Sequence, residues 1–214
     1  MTSADESLAA RLNRKLAESG LASLDLKTAA QLESYLALLL RWNARINLTS
    51  IRDEEGILAR HFVESIACAQ TLPMEIRTLL DFGSGAGLPG IPIALCRADI
   101  FVTLAESQGR KAAFLQEAIR VLGLRAHVHS GRAEKLNSKF DCVILRAVDH
   151  MGEAVSIGGR LVADGGWLAL MTSVSDLERL RLAAGPEFDH YSETPLPGSN
   201  CRVLALVKRQ VAIL

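Results

Sequence analysis

Residues 79–90 read Leu-Leu-Asp-Phe-Gly-Ser-Gly-Ala-Gly-Leu-Pro-Gly, an apolar run followed by glycines at alternate positions. The apolar run is typical of a short buried strand, and the pattern that starts at Gly90 is typical of a helix. Glycines in the turn between them let the backbone adopt positive φ and let a ligand approach the main chain closely. This segment therefore predicts a strand, a ligand-binding turn and a helix.

Short apolar runs alternate with helical patterns from residue 78 onward. The strands predicted from these runs are 78–82, 101–105, 126–129, 140–145 and 166–171. Helices are predicted from about residue 90 and over 110–122, 151–162 and 175–184. This alternation implies right-handed crossovers, so we predict a doubly wound, mostly parallel sheet of the α/β class. Two final strands, 188–194 and 201–208, flank a turn rich in proline and glycine and are expected to pair as an antiparallel hairpin.

The N-terminal third has helical spacing instead. Apolar residues recur every three or four positions over 6–19, 28–42 and 54–70, and Ser50 with Asp53 resembles a capping box before the third helix. We predict an N-terminal helical cap over residues 1–72 on a ligand-binding domain over residues 73–214, the two forming one compact unit.

Composition indicates a protein that stays in the cytoplasm. The segment Met1–Glu6 lacks a secretory pattern, and no apolar run has the roughly 18 residues that a membrane span needs. The four cysteines form no CxxC pair, which argues against structural zinc and disulfides. The 24 basic and 24 acidic residues cancel, but residues 101–140 hold seven Lys and Arg against three Asp and Glu, which allows a local basic face.

Three kinds of ligand compete for the glycine turn. A phosphate-binding P-loop is excluded, because Ile91 and Pro92 stand where it needs lysine and then serine or threonine. A dinucleotide site needs GxGxxG, which Gly85, Gly87 and Gly90 satisfy. A site for S-adenosylmethionine (SAM) has an acid before alternating glycines, here Asp81, Gly83, Gly85 and Gly87. The acid favours SAM, which carries cationic groups, over a pyrophosphate, which it would repel.

Two further segments are predicted to bind an adenosine group. Glu106 ends the second strand, where a carboxylate can accept hydrogen bonds from ribose hydroxyls of either NAD or SAM. The loop 131–134 follows the third strand, and the backbone of Ala133 and Glu134 is expected to border the adenine. For Glu106 the less favoured alternative is a solvated acid at a strand end. For Glu134 an equal alternative is that it caps the next turn.

With these residues in view, the chain resembles the bacterial small-subunit rRNA methyltransferase G family, also called glucose-inhibited division protein B. The likeness extends over about residues 28–208. The motifs that carry it are Gly83-Ser-Gly-Ala-Gly-Leu-Pro-Gly-Ile-Pro92, Asn47-Leu-Thr-Ser-Ile-Arg52, Arg60-His61, Gly131-Arg-Ala-Glu134 and Arg146-Ala-Val148. The chain departs from the family pattern at Glu64, often aspartate there, and at Met171, where a lysine is common.

The resemblance implies a class I SAM-dependent fold and transfer of a methyl group from SAM to N7 of a guanine in 16S rRNA. It implies SAM contacts at Gly83, Leu88, Ala133, Glu134 and Arg146. The expected partner is therefore 16S rRNA or the small ribosomal subunit, in rRNA methylation as a step of rRNA processing. We expect a monomer that needs no metal.

The chemistry of N7 fits the residues after the fourth strand. Guanine N7 has a lone pair and no proton, so its methylation needs positioning and no general base. The chain accordingly has Arg146-Ala-Val-Asp149 where base-dependent methyltransferases have Asp/Asn-Pro-Pro-aromatic. Arg146 is expected to hold either the methionine carboxylate of SAM or guanine O6. Phosphate contacts are predicted at Arg60, His61, Arg110, Lys111 and Arg132, for each of which a solvated surface charge is an equal alternative. For His61 a further alternative is that it caps or packs between the N-terminal helices.

Two other functions remain open on the sequence alone. An NAD-dependent oxidoreductase would share the glycine turn, but the chain has Asp81 and lacks a Tyr-x-x-x-Lys pair. A non-catalytic RNA-binding or assembly factor would keep SAM binding without methyl transfer.

Overall fold

A computed structural model describes residues 6–211, without the side chains of residues 190 and 191. It contains a seven-stranded sheet of order β3-β2-β1-β4-β5-β7-β6. The strands are β1 Thr78–Phe82, β2 Phe101–Glu106, β3 Ala126–Ser130, β4 Phe140–Arg146, β5 Val162–Ser173, β6 Phe188–Pro195 and β7 Arg202–Arg209. The first five are parallel, and β7 pairs antiparallel with both β5 and β6. The predicted doubly wound α/β fold with a final hairpin is confirmed.

Helices cover both faces of this sheet. They are α1 Leu8–Glu18, α2 Leu26–Asn43, α3 Glu54–Gly56, α4 Val63–Thr71, α5 Gly90–Cys96, α6 Gly109–Leu122, α7 Met151–Leu161 and α8 Val174–Ala184. One apolar core joins α1, α2, α4, α5 and α6 to one face of the sheet, and a second joins α7 and α8 to the other face. Side chains alternate between the two cores along β1, where Leu79 belongs to the first and Leu80 to the second.

The third predicted helix differs in detail from the structure. Between α3 and α4 lies a π-helical segment, Ile57–Phe62, and the helix is capped by Asp53, whose carboxylate accepts a hydrogen bond from Gly56 N at 2.6 Å. The predicted capping box at Ser50 is therefore wrong. The residue that caps the helix is Asp53, three residues after Ser50.

None of the described helices has the length and apolar character to span a membrane. Of the predicted domains, residues 1–5 and 212–214 lie outside the described part of the chain.

Candidate active site

A crevice opens at the carboxyl ends of β1, β2 and β4, where the order of the sheet reverses. Ligands of open α/β sheets bind at this switch point. The cavity measures about 590 Å³, within the range of small-molecule sites. Its lining includes seven of the predicted SAM-contact residues: Gly83, Gly85, Leu88, Glu106, Ala133, Glu134 and Arg146. The other two, Asp81 and Gly87, do not line it.

The glycine loop, residues 83–88, owes its shape to left-handed backbone. Gly83, Gly85 and Gly87 have φ of 70°, 58° and 84°. A Cβ added to Gly85 would meet nothing closer than the Gly83 carbonyl oxygen at 3.9 Å, so this position faces the open crevice. A Cβ on Gly87 would lie 2.4 Å from Ile91 Cδ1. Gly85 thus leaves room for a ligand, whereas Gly87 leaves room for the protein's own packing.

Asp81 lies behind the loop and is 1% exposed. Its Oδ2 accepts hydrogen bonds from Ser84 Oγ at 2.6 Å and from Gly90 N at 3.1 Å. Burial raises the pKa of this carboxyl to about 6. The prediction that Asp81 contacts the cofactor therefore needs revision, because its carboxylate joins the start of the loop to the first residue of α5.

Glu106 stands at the end of β2 with its carboxylate held by two main-chain donors. Gly85 N donates to one oxygen at 2.9 Å, and Gln108 N donates to the other at 2.7 Å. A carboxylate has about four acceptor positions. About two acceptor positions therefore remain on Glu106, which lines the crevice, and two is the number that a pair of ribose hydroxyls needs.

Arg146, the last residue of β4, donates hydrogen bonds to residues 60–65, which belong to the π-helical segment and the start of α4. Its Nη2 donates to Arg60 O at 2.8 Å, to Glu64 Oε2 at 2.9 Å and to His61 Nδ1 at 3.2 Å, and its Nη1 donates to Ser65 Oγ at 3.3 Å. The arginine side chain is 12% exposed. It lines the crevice, yet most of its donors already have protein partners.

His61 is a neutral hydrogen-bonding residue in this setting. Its Nδ1 accepts from Arg146, and its Nε2 lies 2.8 Å from Thr49 Oγ1. Burial, and then the positive charge of Arg146, lower the pKa of the ring to about 3. Because arginine can only donate, the proton of the neutral ring belongs on Nε2. The structure thus removes the predicted role of His61 as a cation that contacts phosphate.

The four other predicted phosphate contacts are distributed unevenly. Lys111 and Arg132 line the crevice, whereas Arg60 and Arg110 are exposed outside it. Arg60 reaches the site through its main-chain carbonyl, which accepts from Arg146. Lys111 and Arg132 are therefore the two cations best placed beside a ligand.

Sequence reasoning missed part of the crevice wall. Leu48, Thr49 and Ser50 line it on one side, and the loop 147–150 lines it on another. In that loop Ala147 and His150 have φ of 49° and 51°, a strained conformation for residues with a Cβ and one that is common at functional sites. No spacing in the sequence indicates these angles, because neither position is glycine.

Comparison with known proteins places the chain in a family. Residues 28–195 match the family model for rRNA small subunit methyltransferase G. The chain belongs to this family. A methyltransferase G from Stenotrophomonas maltophilia (strain K279a) is 41% identical over 196 residues, which cover 90% of each chain. Another, from Xanthomonas oryzae pv. oryzae (strain KACC10331 / KXO85), is 43% identical over 168 residues, which cover 77% of each.

Solved structures agree on the fold of this methyltransferase G family member. TYW2 of M. jannaschii in complex with AdoMet matches with a TM-score of 0.59 at 17% identity, over 75% of this chain and 79% of that one. A predicted O-methyltransferase from Agrobacterium tumefaciens, Atu636, matches with a TM-score of 0.57 at 19% identity, over 70% and 83%. These likenesses concern the fold alone.

Proposed function

We propose that this protein transfers the methyl group of SAM to N7 of a guanine in 16S rRNA. Membership of the methyltransferase G family supports the reaction and the substrate. The observation that carries the proposal is the pairing of Gly85 with Glu106: an open glycine in the loop after β1 beside a buried carboxylate that keeps about two acceptor positions.

The residues of the crevice fit SAM. Glu106 would accept the ribose hydroxyls, the backbone near Ala133 and Glu134 would border the adenine, and Gly85 would allow close approach of the ligand to the main chain. Two acids near the loop, Glu106 and the buried Asp81, disfavour a pyrophosphate at the same place. Bound SAM supplies a methyl group made electrophilic by its sulfonium.

The chain's own part in the reaction is positioning. Guanine N7 carries a lone pair and no proton, so neither a general base nor a metal is required. Arg146 retains its Nε–H and one Nη1 hydrogen beyond the bonds described above, since a guanidinium has five N–H donors. These donors would hold the methionine carboxylate or guanine O6. They would not bind N7, which must stay free to react.

Lys111 and Arg132 would contact the phosphates that flank the target guanine, with Arg60 and Arg110 further out. Because the target base must leave its stack to enter a crevice, an open RNA loop is the favoured substrate. The partner would be 16S rRNA, free or in the small subunit, and the protein would act as a monomer in the cytoplasm during rRNA processing. The N-terminal cap, residues 1–72, and the SAM-binding domain, residues 73–214, would act as one unit.

The test is methyl transfer with isotopically labelled SAM to small subunits or 16S rRNA that lack the modification, followed by nucleoside analysis. The expected product is labelled N7-methylguanosine. Arg146→Gln should abolish the label while the protein stays folded, because Glu64 keeps Arg202 as a partner. The matched control is Arg97→Gln, a similarly buried arginine paired with Asp99 and outside the crevice lining, which should transfer methyl normally. Label in another nucleoside, or an active Arg146→Gln, would refute the assignment.

A further inference from the structure

Glu64 is a fully buried carboxylate between two arginines. It lies in the first turn of α4 with 0% of its surface exposed. Its Oε2 accepts from Arg146 at 2.9 Å, and its Oε1 pairs with Arg202 at the start of β7. Burial raises the pKa of this carboxyl, and the charges of the two arginines oppose that rise. Within the described chain it is the one carboxylate that pairs with either arginine.

The π-helical segment beside Glu64 contributes two acceptors to the same guanidinium, the main-chain carbonyl of Arg60 and the ring nitrogen Nδ1 of His61. At its end Val63 N bonds to Leu58 O, five residues back, so the turn is wider than an α-helical one. Arg60 O accepts from Arg146, and His61 O accepts from Ser65 Oγ, which in turn receives Arg146 Nη1. Four acceptors from residues 60–65 thus converge on Arg146, a set we call the arginine cage: Arg60 O, His61 Nδ1, Glu64 Oε2 and Ser65 Oγ.

The cage is poorly explained as a device for stability. Removing charges from water costs more than a buried ion pair commonly returns, and well-packed apolar residues often stabilise such a place better. Here one carboxylate is shared between two arginines, so the buried cluster keeps an excess positive charge. What the arrangement does provide is a guanidinium with a fixed orientation at the wall of the crevice.

We propose that Glu64 is a positioning residue for methyl transfer: through the arginine cage it fixes the orientation in which Arg146 faces the reacting groups. The proposal rests on the proposed function. It assigns a role in the reaction to the N-terminal helical part, which contributes all four acceptors although it lies outside the sheet. Arg202 pairs with the second oxygen of Glu64, so each carboxylate oxygen has an arginine partner.

The test begins with Glu64→Gln, assayed in two ways on the full chain. The kcat for methyl transfer should fall by about tenfold or more, the loss expected when a charge-assisted contact is removed. Modification of Arg146 by phenylglyoxal, followed by peptide mass spectrometry without SAM or RNA, should become about tenfold faster as the guanidinium leaves its cage. Glu117→Gln is the matched control: it removes a half-buried carboxylate paired with Arg41 and Trp42, and both readouts should stay at wild-type values.

A second variant separates positioning from folding. Glu64→Gln combined with Arg202→Gln has the same net charge in this cluster as the wild type, so its stability should recover at least in part. Its kcat should nevertheless stay low, because Arg146 still lacks the Glu64 carboxylate. Recovery of kcat together with stability would show that Glu64 serves the fold alone and would overturn the proposal.

Two other results would overturn it. One is a kcat for Glu64→Gln within about twofold of the wild type, a difference too small for a lost charge-assisted contact. The other is equal protection of Arg146 from phenylglyoxal in both proteins. A wild-type protein that methylates no 16S rRNA would instead overturn the proposed function, and the modification of Arg146 would still decide whether Glu64 fixes the guanidinium.

Discussion

Gly85 and Gly123 share a left-handed backbone, with φ of 58° and 61°, but lie in different surroundings. A Cβ at Gly123 would meet nothing within 4 Å, and one at Gly85 would project into the crevice. Alanine at either position should therefore cost about 1 kcal/mol of unfolding free energy, measured in urea. In calorimetric titration Gly85→Ala should lose SAM affinity while Gly123→Ala keeps it. Equal affinities would mean that Gly85 does not border the cofactor.

The position of Asp81 could not be predicted from its residue type alone. The acid before the glycines favoured the correct ligand, but alternation along β1 puts its side chain on the same face as Leu79, toward the apolar core that includes α5. Attention to that alternation would have placed Asp81 behind the loop. By contrast, Glu106 lines the crevice, because a strand end leaves its last side chain beside the loop, and its contact with the ribose hydroxyls stays a prediction.

Burial of Asp81 makes a pH dependence testable. Its folded pKa of about 6 exceeds the 3.8 of an ordinary aspartate, so its contribution to stability is complete below about pH 4 and is lost as pH rises through 6. As the pH rises from about 4 to above 6, the wild type should lose on the order of 3 kcal/mol of unfolding free energy relative to Asp81→Asn. Urea unfolding of both proteins across this range measures the difference. A difference that does not change with pH would contradict the raised pKa.

At the scale of elements, α2 supports the glycine loop directly. The hydroxyl of Tyr35, a fully buried residue, donates to Ala86 O at 2.5 Å, and its ring stacks on Phe62 with centroids 5.4 Å apart. A helix of the N-terminal part therefore fixes the carbonyl of a loop residue that lines the crevice. The apolar spacing over 28–42 predicted this helix but gave no indication of the contact, which depends on how the helix docks.

Tyr35→Phe should separate this support from general packing. Loss of the hydroxyl leaves Ala86 O without its partner and should cost about 1–3 kcal/mol of unfolding free energy. SAM affinity should fall as well, because the loop loses its link to α2. Trp42→Phe is the control, since it removes a comparable bond, from Nε1 to Glu117, away from the loop and should leave SAM binding unchanged. If both variants bind SAM like the wild type, α2 does not organise the loop.

The π-helical segment is a feature that apolar spacing in the sequence did not predict. Apolar spacing over 54–70 predicted one helix, and the structure has helical backbone across Glu54–Thr71. Spacing does not distinguish a single wide turn inside it, because the apolar stripe continues on either side. Residues 60 and 61 of the wide turn contact Arg146, a partner more than 80 residues away in the sequence, and local spacing holds no information about such a contact.

At the scale of the whole molecule, one apolar core links the N-terminal helices to the sheet. It contains Leu12 and Leu16 of α1 as well as Leu104 of β2 and Phe114 of α6. The order of elements and the parallel sheet were predictable because local periodicity and chain connectivity determine them. Only β5 is markedly longer than predicted, Val162–Ser173, because its first residues pair with Phe140 across a register shift.

A shared core predicts cooperative unfolding. The chain has two tryptophans, Trp42 in α2 and Trp167 in β5, so Trp167→Phe and Trp42→Phe each leave one reporter. For each variant, thermal unfolding followed by fluorescence of its remaining tryptophan and by far-ultraviolet circular dichroism should give one common midpoint. A lower fluorescence midpoint for Trp42 than the circular-dichroism midpoint of the same variant would show that the N-terminal part unfolds by itself.

A crystal structure of the full chain grown with SAM would show whether the crevice beside Gly85 and Glu106 binds this cofactor. We expect the nucleoside to lie within hydrogen-bonding distance of the Glu106 carboxylate, with its adenine beside Ala133 and its methyl group on the side of the crevice that Arg146 lines. A crevice that remains empty at saturating SAM, or one that binds NADH in its place, would contradict the account.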